Sequence, residues 1–436
     1  MFTIINDNII KTKKSFLFDI MKIKHNFNTG FIDYCQICNN KNIVPVIDLG
    51  HQPLADDLKF EKNKNDKIIF YPIKIFFCKP CRLLQNNYIV GDEKLYNKNY
   101  HYRPGISKTV VENQLDLAKK IASLYKLNKD DLIVDIGSND GTLLNQFRSL
   151  GKRNVLGVEP TDTIKFQREI GIKSHKDFFN LKSSNMVKKK EGKAKIITTT
   201  NVFAHSNKMG DFLKGVKNLL DQSGVFIIEN HYLLDVINKR QFDTFYHEHL
   251  RTYSLKSLIR LLSYYDFKIL DAFTSERYGG NIQAHFVHKN NLTTKSKNVG
   301  KILNKELKLS KLKTYLNFKN DIDIVGSKLY KYLEKNKNKL IVAKSYPARA
   351  SVIIHYYSFL KKYIKYIAEQ SSSLKLNCYV PGTNIKIIDS KKMKKDKPNI
   401  IIVLAWHLFK PIHTKWLKKG LRNSKFIKPL PKLSIK

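Results

Sequence analysis

The middle of this chain is predicted to be an α/β fold built on a parallel sheet, with a small metal-pinned module in front of it. Three observations predict this. Short apolar runs ending in turn residues alternate with helical spacing between residues 130 and 230. The 436 residues exceed what one compact core holds, so two or three domains are expected. Four of the five cysteines fall into two Cys-x-x-Cys pairs ahead of the alternating region.

Residues 1–30 read as an N-terminal extension. They lack the continuous apolar centre and small-residue cleavage site of a secretory signal, and no stretch of the chain has the roughly 18 apolar residues needed to span a bilayer. A cytoplasmic protein without membrane contact is the expectation. Hydrophobic residues make up 42% and aromatics 11% of the chain, which is too apolar for global disorder. Lys and Arg outnumber Asp and Glu by 79 to 37, a net charge of +42, which would suit nucleic acid. The lysines are spread along the whole length with no arginine-rich arm, so nucleic acid is not the expected partner.

The module spans residues 31–95. Cys35 with Cys38 and Cys78 with Cys81 place thiolates two residues apart on tight turns, and two such knuckles complete a closed tetrahedral Zn²⁺ site. A closed site is structural. The 39 residues between the knuckles exceed the usual zinc-ribbon gap, so spacing alone also admits a metal-free or redox role. Strands are predicted at 67–70 and 74–77, with turns at Asp48 to Ala55 and at Tyr71-Pro72-Ile73. Cys378 stands alone and reads as a small buried hydrophobe.

The next domain spans residues 96–290. Leu132 to Ile136 is a strand that runs into Gly137-Ser138-Asn139-Asp140-Gly141-Thr142 and then a helix. Strand, glycine turn and helix N-terminus form a cofactor loop, because glycine lets the backbone approach a ligand closely. Asp135, Gly137, Asn139, Asp140 and Gly141 are its candidate binding residues. Glu159 ends the next strand, where a carboxylate can take both hydroxyls of a ribose. Acidic residues would repel a pyrophosphate, which favours S-adenosylmethionine, a nucleoside with a cationic sulfonium and no phosphate. Lys195 to Thr199 and Gly224 to Glu229 are further strands, with a helix over 209–220 between them. Asn201, a further cofactor candidate, and His205 follow the first of these strands. Tyr246-His247-Glu248-His249 follows the second. Two imidazoles, a phenol and a carboxylate in four positions serve no core-packing rule; they suit acid/base chemistry near neutral pH. Spacing leaves open which of His247 and His249 faces a substrate.

Residues 291–436 begin with a lysine-rich stretch of helical spacing around Ile302, Leu303, Leu307 and Leu309, read as a connector.

In order, C-Q-I-C, D-L-G-H-Q-P-L-A, the second C-x-x-C, D-I-G-S-N-D-G-T-L-L, G-V-E-P, N-V-F-A-H and D-T-F-Y-H-E-H-L make the chain resemble the sugar C-methyltransferases of deoxysugar pathways. That resemblance implies a zinc-binding domain, a Rossmann-like class I methyltransferase sheet and an α/β C-terminal domain. It also implies S-adenosylmethionine as cofactor, a nucleotide-linked ketosugar as substrate, and a monomer or homodimer. The catalytic roles fall on Tyr246, Glu248, His249 and His205, with Tyr100 from Tyr100-His101-Tyr102-Arg103 lining the site. On this pattern His249 is the base, with Glu248 orienting or polarising it. Tyr379 to Thr383 and Ala405-Trp406 resemble C-terminal motifs of the family. The family's glycine-rich G-Y-G-A loop appears here as Lys344-Ser345-Tyr346-Pro347-Ala348, and its G-G-S-x-R as Gly279-Gly280-Asn281-Ile282-Gln283. The rival readings are a nucleic-acid methyltransferase and a non-enzymatic zinc-ribbon binding protein.

Overall fold

A computed structural model describes residues 25–61, 66–96 and 102–436. Tyr100 and most of the N-terminal extension lie outside the described residues. Three sheets carry the architecture.

The first belongs to the cysteine module: β1 (Val44–Pro53), β3 (Phe70–Cys78) and β4 (Leu83–Asn86) pair antiparallel, and a short strand β2 (Lys59–Phe60) lies between β1 and β3 in the chain. The turns expected at Asp48 to Ala55 and at Tyr71-Pro72-Ile73 are instead parts of the long strands β1 and β3. Gly50 takes φ +72° inside the register break between Asp48 and His51 of the β1–β3 pair, so the glycine makes a bulge and not a chain reversal.

The second sheet holds β5 (Ile133–Ile136), β6 (Val155–Val158), β7 (Lys173–His175), β8 (Ala194–Thr200), β9 (Leu220–His231), β11 (Phe267–Ser275) and β12 (Asn281–His288). Its order is β7-β6-β5-β8-β9-β12-β11, with β5 to β9 parallel and the last two antiparallel. Strand direction follows from composition. β5 and β6 are buried on both faces, as parallel strands covered by helices must be. The strand β10 (Arg251–Thr252), immediately after the Tyr246 to His249 run, leaves this sheet and pairs with β4 of the cysteine module.

The third sheet contains β13 (Ile341–Lys344), β14 (Tyr366–Glu369), β15 (Cys378–Tyr379), β16 (Lys386–Asp389), β17 (Ile400–Val403), β18 (Lys425–Lys428) and β19 (Ser434–Ile435), and it ends on β2. Its five parallel strands run β18-β17-β13-β14-β16. Counted along the chain this is again the doubly wound order, with its switch point between β13 and β17. The stretch read as a connector is helical over Lys297–Lys305 and Leu312–Lys335, but it is part of the core: Tyr315, Phe318, Ile322 and Leu329 of the longer helix are buried. Among the described residues no helix is long and apolar enough to cross a membrane.

Candidate active site

The loop after β5 is held by backbone geometry. Gly137 and Gly141 take φ +73° and +76°, and a Cβ at Gly137 would stand 2.5 Å from Val202 Cγ2. Any side chain there would push away the loop that carries Asn201 to His205. Asp135 is buried and accepts a hydrogen bond from the Thr198 hydroxyl at 2.7 Å. Burial pushes its carboxyl up to about 7. Glu159 accepts from the backbone N–H groups of Asn139 at 3.0 Å and Thr161 at 2.8 Å and from the Thr161 hydroxyl. Asp140 accepts from the Thr142 N–H at 3.2 Å and the Gly105 N–H at 3.0 Å. It thereby fixes the start of the helix Thr142–Ser149. Ser138 Oγ and Asn139 Oδ1 are buried without a partner. Asn201, at φ +54°, turns the chain out of β8 and accepts from the Asn281 amide at 3.2 Å. Acids and orphaned polar atoms at the carboxyl ends of β5 and β6 fit the donor and acceptor demands of S-adenosylmethionine.

Histidines gather beside this edge. The His249 ring centroid lies 5.0 Å from that of His205, 5.1 Å from His231 and 4.1 Å from Tyr246. His205, His231 and His249 line one pocket with Asn230 and Arg251. The Nδ1–H of His249 donates to the Thr244 carbonyl at 2.8 Å, which leaves Nε2 as the unprotonated ring nitrogen. Burial holds His249 well below the usual histidine range, helped by His205 and His231, and burial brings His205 to about 4. Both rings are neutral at pH 7. The partner at Nδ1 is thus the Thr244 carbonyl and not the Glu248 carboxyl, because the turn Phe242–Thr244 lies against the imidazole. His247 points elsewhere: its Nε2 meets the Tyr71 carbonyl of β3 at 3.2 Å.

Glu248 is buried, and burial together with the Asp56 carboxylate pushes its carboxyl up to about 8, against the pull of the Lys375 ammonium. A carboxyl raised in this way favours the protonated folded state. Stability is lost as pH rises from its unfolded value of about 4.3 towards 8. Glu248→Gln is accordingly expected to melt higher than the wild type at pH 8 and level with it near pH 4, as read by thermal denaturation across that range.

Residues that motif reading passed over complete the site. Arg251 is 1% exposed and donates to Gln36 Oε1 at 2.7 Å, to the Tyr253 hydroxyl at 2.9 Å and to the carbonyls of Ala204 and Ser206 on either side of His205. All of these acceptors are neutral, so its charge adds a positive field to the pocket. His231 ends β9, and its Nδ1 is buried without a partner. It follows directly on the apolar strand run that begins at Gly224, which hid it. Glu229, two residues earlier, receives Arg277 at 3.0 Å, Asn281 at 3.1 Å and Gln283 at 2.6 Å. Asn281 and Gln283 are the residues that depart from the family's G-G-S-x-R, and here both amides satisfy a buried carboxylate.

The four cysteines converge. Cys35 and Cys81 Sγ are 3.8 Å apart, as are Cys38 and Cys78 Sγ, and among the described residues all four sulfurs lie within 4.8 Å of one another. A Zn–S bond of about 2.3 Å sets a tetrahedral edge of roughly 3.8 Å. The cluster fits Zn²⁺ with no open position.

Comparison with known proteins agrees with this layout. Residues 35–96 match the zinc binding domain, 111–272 the methyltransferase domain and 276–431 the C-methyltransferase C-terminal domain. The chain carries a methyltransferase domain and a C-methyltransferase C-terminal domain behind its cysteine module, and it is an S-adenosylmethionine-dependent methyltransferase. The three matches follow one another in chain order, on the three regions that carry the cysteine cluster, the cofactor loop and the second doubly wound sheet. This C-methyltransferase is 24% identical to the C-methyltransferase NovU of Streptomyces niveus over 406 residues, 92% of this chain and 96% of that one. Solved structures match more narrowly. An S-adenosylmethionine-dependent methyltransferase of Clostridium acetobutylicum is 16% identical, covering 41% of this chain and 92% of that one with a TM-score of 0.32. The YcgJ protein of Bacillus subtilis is 15% identical, covering 41% of this chain and 100% of that one, also at 0.32. The C-methyltransferase uses S-adenosylmethionine and carries a structural zinc site.

If the β5 loop holds the cofactor, Asp135→Ala will lose S-adenosylmethionine binding in titration calorimetry while the fold, read by circular dichroism, is kept. Undiminished affinity would remove Asp135 from the cofactor site.

Proposed function

We propose that this C-methyltransferase methylates a carbon next to the ketone of a nucleotide-linked ketosugar, through an enolate that His249 generates. The observation that carries the reading is the neutral His249 ring, tethered at Nδ1 by the Thr244 carbonyl and set among His205, His231 and Tyr246 in a buried pocket. S-adenosylmethionine, when bound, supplies an electrophilic methyl on a sulfonium. Carbon becomes a nucleophile only after losing a proton, and Nε2 of His249 takes it. The electron pair moves to the carbonyl oxygen. The buried Arg251 cation favours that negative oxygen, and Tyr246 and His205 stand beside the base to hydrogen-bond it. Glu248 beside the base is raised by burial to about 8, which favours its protonated form.

A nucleotide handle is supported by the second doubly wound sheet. Ligands of such sheets bind at the carboxyl edge by the switch point. There β13 and β17 lead into Arg349 and Trp406, both of which hydrogen-bond Asp243 just ahead of Tyr246 to His249. Two nucleotide-binding edges thus flank one histidine pocket.

Mass spectrometry of the purified protein with S-adenosylmethionine and a panel of nucleotide-linked 4-ketosugars tests the reading. One added methyl on the sugar is expected. Methylation of RNA with no sugar product would replace it.

A further inference from the structure

The third sheet grips the turn that orients His249. Asp243 is fully buried in the turn Phe242–Thr244, and the carbonyl of its neighbour Thr244 accepts the His249 Nδ1–H. Arg349, at the start of the helix after β13, donates from Nε to Asp243 Oδ2 and from Nη2 to Oδ1, both at 2.7 Å. The same Nη2 reaches Gln241 Oε1 at 3.0 Å, and the Gln241 carbonyl accepts the Thr244 N–H at 3.1 Å. Trp406, just beyond β17, adds its indole N–H to Asp243 Oδ2 at 2.8 Å. Arg349 and Trp406 both follow switch-point strands of the C-terminal sheet, while Asp243 and Gln241 lie on the segment of the methyltransferase domain that leads into the base; Arg349 Nη1 also donates to the Tyr278 carbonyl at 3.0 Å.

We propose that Arg349 and Trp406 are positioning residues that set the tautomer and orientation of His249 through Asp243 and the Thr244 carbonyl. The C-terminal domain then tunes the base as well as holding substrate. The inference rests on His249 being that base. Its chemical logic is that of any imidazole base: a neutral ring has one acceptor nitrogen, and the bond made by the other nitrogen decides which one it is. A bidentate guanidinium in a buried site fixes its carboxylate in both distance and plane, and lysine could not replace it. The feature sits in the segment Ser345-Tyr346-Pro347-Ala348-Arg349, where the chain departs from its family's glycine-rich loop.

The test is ¹⁵N-histidine NMR on the full-length zinc-loaded protein, with the His249 signal assigned by its loss in His249→Gln. The wild type should show protonated Nδ1. Arg349→Gln should lose that signature, giving protonated Nε2 or an exchange average, while S-adenosylmethionine affinity is unchanged. Trp406→Phe, which keeps a ring in the buried site and removes one donor, should show a partial version of the same change and covers the case in which Arg349→Gln does not fold. On a sugar that the wild type methylates, kcat should fall by a factor on the order of 10² to 10⁴ at unchanged KM. Persistence of protonated Nδ1 in the folded variants would overturn the proposal. Continued methyl transfer by His249→Ala would instead defeat the base assignment and leave the tautomer result standing.

Discussion

His249→Ala is expected to abolish methyl transfer while leaving S-adenosylmethionine binding intact. The proton on a carbon beside a ketone is weakly acidic, and a positioned base contributes on the order of 10²- to 10⁴-fold to its removal. The shape of the Asp135 to Thr142 loop depends instead on Gly137, Gly141 and Thr198. Turnover on a ketosugar and calorimetric affinity for the cofactor should therefore separate. His247→Ala is the control. Its ring faces the Tyr71 carbonyl of β3, so its loss should lower the melting temperature more than the rate of the bound complex. Equal activity in His249→Ala and wild type would remove His249 from the chemistry.

Stripping zinc, or replacing Cys78 with Ser, is expected to cost both stability and turnover. Three of the four cysteines are fully buried, and a module of this size cannot fold on its hydrophobic core alone. The effect should travel. Gln36, between the knuckle cysteines, accepts from Arg251, and β10 pairs with β4, so the chain just after His249 is anchored to the zinc module. The expected pattern is a lower thermal midpoint and lost methylation with cofactor affinity retained, both reversed by added Zn²⁺ in the stripped wild type but not in Cys78→Ser. Loss of cofactor binding to the same degree would mean that the module supports the whole methyltransferase sheet and not the pocket in particular.

Local pattern reveals some of this and hides the rest for physical reasons. The strand, glycine turn and helix at 132–144 are contiguous, so their chemistry lies in one window of sequence. The same holds for Cys35 with Cys38 and for Cys78 with Cys81, where paired spacing is itself the signal. Arg251 looks like one more basic residue in a chain of +42, and only burial among carbonyls distinguishes it. His231 is masked by the apolar run before it. The Arg349 grip on Asp243 spans 106 residues, and no periodicity encodes a pairing over that distance. Gly50 and Pro72 read as chain reversals because turn propensity is judged locally, whereas the β1–β3 ladder absorbs one as a bulge and carries the other within the strand. The orienting role given to Glu248 rested on adjacency in sequence. Next to a turn, adjacency says little about which neighbour a ring meets.

The pairing of β2 with β15 has a consequence for how the molecule comes into being. Phe60 leaves the ribosome 318 residues before its partner Cys378. At about 5–20 residues per second this is a wait of roughly 15 to 60 s during which the strand edge has no mate. The first-made module can close its metal knuckles early, but its short strand β2 is donated to the last-made domain. Long-range pairing of this kind slows the final step of folding and leaves an edge open to wrong partners meanwhile. Arg349 and Trp406 can reach Asp243 only once that last domain is made, so a truncated chain would keep its cofactor loop but lack the grip on the turn ahead of His249.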